Sequence, residues 1–299
     1  MFELTRQRKI IWVSVLSALL LASIVFSAVL IDQTVHNVAS AVRQFRSGGG
    51  NFFGGNFSVG SPRFQGSVLA TQTHTAALSL PKGSAFSFAA PIGAIHVVPA
   101  TGNRALVTVQ VTMAGETLAQ AKRRAARTSL TQQTTGSSSS VTVNALDGKA
   151  LHGIAATVEV PSGMAVTVID HLGNITVSGR FSSLAIRADM GNCNINAHVA
   201  GTTDIVDNLG NIVCSGVLGR RTTISDHMGN IAVYLSSRQA LATTVTTNLG
   251  TVNMVGALAG AFRRAGSAWT GTAGSGAPTG TLDVQNNLGN VTLSEVNAS

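Results

Sequence analysis

The chain has 299 residues, 5% of them aromatic and 11% charged, with 32 glycines. That palette suits thin β structure with tight turns better than a globule built around large aromatic anchors. The net charge of +8 is no nucleic-acid footprint, because residues 1–150 carry 13 Lys or Arg against 4 Asp or Glu while residues 151–299 carry 7 against 8, so the excess lies ahead of the repetitive part.

Residues 1–9 read as a cytoplasmic tail. Residues 10–31 (IIWVSVLSALLLASIVFSAVLI) form an unbroken apolar run of 22, long enough as a helix to cross a hydrocarbon core of about 30 Å. Arg6, Arg8 and Lys9 precede it, which favours a cytoplasmic N-terminus. The expectation is a signal-anchor: one transmembrane helix in the cytoplasmic (inner) membrane, with the C-terminal domain extracytoplasmic. A cleaved signal peptide is the rival reading, but its apolar core is usually about 7–15 residues, and the A-x-A site Ala39-Ser40-Ala41 lies well past the run. Residues 32–65 read as a juxtamembrane helix and a Gly-rich linker. Val35, Val38, Val42 and Phe45 recur at helical steps, either continuing the membrane helix or forming a self-association seam. The glycines from Gly48 to Gly55 make a flexible spacer.

Residues 66–299 form the remaining domain, and internal repetition governs it. HLGNITVSG, DMGNCNINA, NLGNIVCSG, HMGNIAVYL, NLGTVNMVG and NLGNVTLSE align on Gly173, Gly191, Gly210, Gly229, Gly250 and Gly289, and Gly93 begins the pattern. The spacings are 18, 19, 19, 21 and 39 residues. An apolar residue stands four before each Leu or Met: Val168, Ile186, Ile205, Ile224, Val245 and Val284. After each Gly, apolar residues alternate, as in Ile212 and Cys214, which places them on one face of a strand. Such units bury their apolar face only by stacking. The expected fold is therefore all-β: a single-stranded β-solenoid of about 19-residue coils, with a short inserted helix at about 115–130 and a low-complexity loop at about 257–280. The structural repeat residues are the seven glycines and Asn174, Asn192, Asn211, Asn230 and Asn290. Each Gly supplies a positive φ or a close backbone approach, and the stacked Asn amides can bond along the axis as a ladder. In the helical stretch, Lys122, Arg123, Arg124 and Arg127 read as a solvated face, with contact to anionic lipid or envelope polymer as the alternative.

Cys193 and Cys214 are too few for a disulfide framework. They sit one coil apart in different apolar slots, about 8 Å by strand spacing, beyond the roughly 7 Å reach of a bridge. Asp170, Asp207 and Asp226 each stand two residues before the Leu or Met and read as corner caps. His171 and His227 stand three coils apart, too far for one metal. Neither a nucleotide loop, a zinc pattern nor a nucleophile elbow is found, so catalytic, cofactor and metal residues are all expected to be none.

The repeat and its lead-in Val158-Glu159-Val160-Pro161-Ser162-Gly163 resemble the bacterial "putative adhesin" family, a domain of unknown function, over about residues 80–299. The resemblance implies a bacterial cell-envelope β-solenoid and offers no catalytic residues. The functional expectation is a non-enzymatic, membrane-anchored adhesion or interaction module. Its partner would be an envelope protein, lipid or polysaccharide. The alternatives are a self-associating scaffold or stress-signalling component, in which the chain forms a homo-oligomer, and a carbohydrate-active enzyme.

Overall fold

The computed structural model describes residues 68–81, 83–145 and 148–296. Among these described residues, eighteen strands join in one mixed sheet. Most of it is built from a strand, a Gly-containing corner and a second strand, repeated. The first strands are β2 (Ala85–Ala90), β8 (Met164–Asp170), the end of β9 (Ile175–Ala188), and the starts of β11 (Thr202–Val217) and β12 (Arg221–Ser236), followed by β17 (Gly280–Leu288) and β13 (Leu241–Leu249). They pair in parallel in that order. The second strands are β3 (Ala94–Pro99), the start of β9, β10 (Cys193–Val199), the ends of β11 and β12, β18 (Val291–Val296) and β14 (Val252–Val255). They too pair in parallel.

Period-two alternation decides which side chains enter. Phe88, Val168, Ile186, Ile205, Ile224, Val284 and Val245 fall in one register row, and all seven are buried. Each such side chain contributes about 1.5–3 kcal/mol by leaving water. Ile175, Ile212, Ile231 and Val291 face them from the second strands, equally buried.

The expected single-stranded β-solenoid with a transmembrane helix is overturned on three counts. First, the strands belong to one mixed sheet, because β11 and β12 run through the corner without interruption and tie both halves together. Second, antiparallel strands close both ends. At one end β1 (Val68–Ser79) pairs with β4 (Arg104–Gly115) and β4 with β7 (Leu151–Val160), while β5 (Ser129–Thr135) pairs with β6 (Ser138–Asn144). Third, pairing does not follow chain order. Unit 280–296 lies between units 221–236 and 241–255.

Helix α1 (Leu118–Ala126) is shorter than the 115–130 stretch suggests. Thr117 caps it by accepting from Gln120 N–H at 3.2 Å, and Ala121 and Ala125 are buried in its packing on β1 and β4. The stretch expected as a low-complexity loop carries a short 3-10 helix (Gly256–Gly260) and an antiparallel pair. These strands are β15 (Phe262–Ala265) and β16 (Ala268–Ala273), and β16 also pairs with β13. Among the described residues, no helix is long and apolar enough to cross a membrane. The expectation of a single-pass inner-membrane protein is corrected on that finding. Residues 1–65, on which the tail, anchor and linker readings fall, lie outside the described residues.

Candidate functional site at the glycine corner

The corner glycines stack along the sheet in the order Gly93, Gly173, Gly191, Gly210, Gly229, Gly289, Gly250. A Cβ on Gly210 would stand 1.5 Å from the carbonyl oxygen of Gly191, and Gly173, Gly191, Gly229, Gly289 and Gly250 meet the preceding glycine's oxygen in the same way. Close approach of neighbouring backbones, at Gly210 without a left-handed φ, is what demands glycine there.

Beside the glycines runs the amide row. Asn192 Nδ2 donates to Asn174 Oδ1 at 3.1 Å, Asn211 to Asn192 at 3.0 Å and Asn230 to Asn211 at 3.1 Å. Asn290 joins through its backbone N–H, which donates to Asn230 Oδ1 at 3.1 Å, and Thr251 Oγ1 donates to Asn290 Oδ1 at 2.7 Å. Every bond points the same way along the stack.

On the other side of the glycines lies an apolar row. Met190, Met228, Leu288 and Leu249 are 47, 43, 43 and 67% exposed, and Ile92, Leu172 and Leu209 in the same row are half-buried. An outer polar row follows it. His171 Nδ1 stands 2.6 Å from Asp189 Oδ2, Asn208 donates to Asp189 Oδ1 at 3.0 Å, and Asn287 lies 3.3 Å from His227 Nδ1. The surface of the corner is thus a Leu/Met line between two hydrogen-bonded polar lines.

Asp207 and Asp226 cap the corner from inside, each Oδ1 accepting from the backbone N–H two residues on. Asp170, Asp207 and Asp226 are 1, 1 and 2% exposed. Burial pushes Asp170 up to about 7, against the Leu172 N–H and His171, which pull it down. It pushes Asp207 and Asp226 up to about 6. The sequence did hold a sign of this. Each Asp lies two residues past a buried apolar residue (Val168, Ile205, Ile224), on the same strand face. The exposed Leu/Met line, by contrast, was read only as a landmark in the repeat.

Cys193 and Cys214 are free and buried. Their register partners are Ile212 and Ile195, so they stand diagonally. Burial raises both thiols, Cys214 to about 12. Away from the corner, a depression of about 280 Å³ is lined by His198, Leu218, Arg220, Arg238 and Gln239, and a cleft of about 450 Å³ by Arg221, Thr223, Thr244, Thr270 and Asp283. Neither includes the three buried acids. Among the described residues, no three His, Cys, Asp or Glu side chains are grouped to hold a metal.

No family model matches the chain, and no curated protein matches it. Solved structures do. A "putative cell adhesion protein" from Clostridium sporogenes is 9% identical with a TM-score of 0.46, covering 76% of this chain and 100% of its own. A "putative adhesin" from Bacteroides fragilis is 8% identical with a TM-score of 0.40, covering 75% and 97%. A "putative lipid binding protein" from Parabacteroides distasonis is 10% identical with a TM-score of 0.22, covering 75% and 96%. The second carries the name of the family that the repeat resembles, and the first is called a cell adhesion protein.

Proposed function

We propose that the chain is a non-catalytic adhesion or interaction module that holds a protein partner along the Leu/Met line of the glycine corner. The observation that carries this reading is the line itself, with four side chains at least 43% exposed. Its flanks are polar and, apart from the paired His171–Asp189 and the imidazole of His227, uncharged. An apolar centre with a polar rim is the anatomy of a protein interface, and methionine is enriched there. The line has no aromatic platform for sugars and no basic flank to attract anionic lipid. Seven positions at about 4.8 Å span about 29 Å. A strip that narrow covers a few hundred Å², below the roughly 800 Å² per partner of a stable protein–protein interface, which fits a transient hold on one segment of a partner rather than a permanent complex. The buried acids support the non-catalytic part, since side chains 1–2% exposed do not reach a substrate on the surface.

The test places a photo-reactive amino acid at Met228, Leu249 or Leu288 of the full chain in its native cells, with exposed Gln133 as control. The expected result is one discrete protein adduct from the line positions and none from Gln133. An adduct of twice the chain mass would favour self-association instead. Equal labelling at all positions, or none, would overturn the proposal.

A further inference from the structure

One interior position beside the corner glycine is occupied in turn by Ala90, Asp170, Ala188, Asp207, Asp226, Asn286 and Thr247, which face one another in register. Two of these side chains carry a fixed donor and use it identically. Asn286 Nδ2 donates to Gly229 O at 2.9 Å, and Thr247 Oγ1 donates to Gly289 O at 3.3 Å. In each case the acceptor belongs to the neighbouring unit.

Asp207 and Asp226 repeat the other half of the Asn286 arrangement, whereas both carboxyl oxygens of Asp170 are buried without a hydrogen-bond partner. Asn286 Oδ1 accepts from Leu288 N–H at 3.1 Å, as Asp207 Oδ1 does from Leu209 N–H at 3.3 Å and Asp226 Oδ1 from Met228 N–H at 3.1 Å. Oδ2 then falls where Asn286 has its NH₂. The point a Cβ on Gly210 would take lies 1.5 Å from Gly191 O and 2.6 Å from Asp207 Oδ2. At Gly229 the distances are 1.4 Å to Gly210 O and 2.7 Å to Asp226 Oδ2, and at Gly173 they are 1.5 Å to Gly93 O and 2.8 Å to Asp170 Oδ2. Each Oδ2 is buried with no hydrogen-bond donor. Two acceptor oxygens crowded together away from water repel; a proton between them makes an O–H···O=C bond.

We propose that Asp170, Asp207 and Asp226 act as protonated clasps, each Oδ2–H donating to the glycine carbonyl of the neighbouring unit (Gly93, Gly191 and Gly210 respectively), so that the stack tightens in acid and loosens as they ionise. Ala90, Ala188 and Asn286 on the adjoining strands bring no charge. The titratable neighbours are His171 and Asp189 beside Asp170, Asp226 and Asp189 beside Asp207, His227 beside Asp226, and the buried Cys193 thiol near all three. The two histidines favour ionisation and the carboxylates oppose it. The folded values of about 7, 6 and 6 lie above the ordinary 3.8. The clasps therefore contribute fully below about pH 4, and the contribution is lost as pH rises through 6 to 7.

Two measurements on the full chain test this. Thermal unfolding at about pH 8 and pH 5 compares the parent with the Asp207→Asn/Asp226→Asn variant, which supplies the Asn286 donor at both positions. The parent should melt several degrees higher at pH 5, while the variant should lose about half of that rise, the share of Asp207 and Asp226, because its pH 8 value has already gone up; Asp170 keeps the rest. Carboxyl-carbon NMR of the parent should show Asp207 and Asp226 titrating well above ordinary aspartate, a readout that survives if the variant fails to fold. Carboxyls that titrate at or below 3.8, or a variant that keeps the whole parental rise, would overturn the clasp.

Discussion

At the residue scale the corner works by contact distance. Gly210→Val puts a branched side chain where Gly191 O already stands 1.5 Å from the Cβ position. The expected loss is several kcal/mol, on the scale of the largest single-site effects. Gly102→Ala, with open space around it, is the control and should stay within about 0.5 kcal/mol. Denaturant unfolding of both checks the contrast. Asn211→Ala removes the acceptor of Asn230 N–H and Nδ2 and the donor to Asn192, and should cost about 1–2 kcal/mol at this exposed site. Much of this was legible, because glycine followed by asparagine at even spacing has few other uses. The depth of Asp170, Asp207 and Asp226 was less legible. Their polarity suggests a corner cap, and their parity with Val168, Ile205 and Ile224 places it inside, where a proton rather than water can satisfy the carboxyl.

At the element scale the informative feature is the place of β17 and β18. They stand between β12 and the β13–β14 unit, so those two have no direct pairing. Removing residues 280–299 should therefore strip protection from β13, β14 and β16 as well as from the deleted strands, because β13 and β14 are left without their parallel partners. Hydrogen exchange of the truncated chain is the measurement. Unchanged protection in β13 would mean that β12 and β13 can pair directly. The 39-residue gap announced an interruption, but not which unit would fill it. From Val168 onward the units present the same register row of Val or Ile and the same glycine corner, so local pattern fits any order of stacking. The order is set by connections, and the strand pair β15–β16 within 257–280 carries the chain past the next unit before β17 returns. A low content of large apolar residues hid those two strands, since their pairing rests on backbone bonds more than on burial.

At the scale of the whole molecule, core and surface have separate tasks. The interior is a set of apolar rows with an acid row along one margin, and both ends are closed by antiparallel strands, with α1 packed on β1 and β4. Such closure limits pairing with other chains and leaves the corner as the repeated surface. There the Leu/Met line is the feature with no structural need to be exposed, which is why the binding proposal rests on it and not on the aspartates. The most direct measurement compares photo-adduct yield from Leu249 in two backgrounds, Met228→Ser/Leu288→Ser and Asp207→Asn/Asp226→Asn, with melting temperature recorded for each. The expected result is loss of the adduct in the first background at unchanged melting temperature and its retention in the second. An adduct that survives the serine changes, or that disappears from a well-folded Asp→Asn variant, would contradict the account.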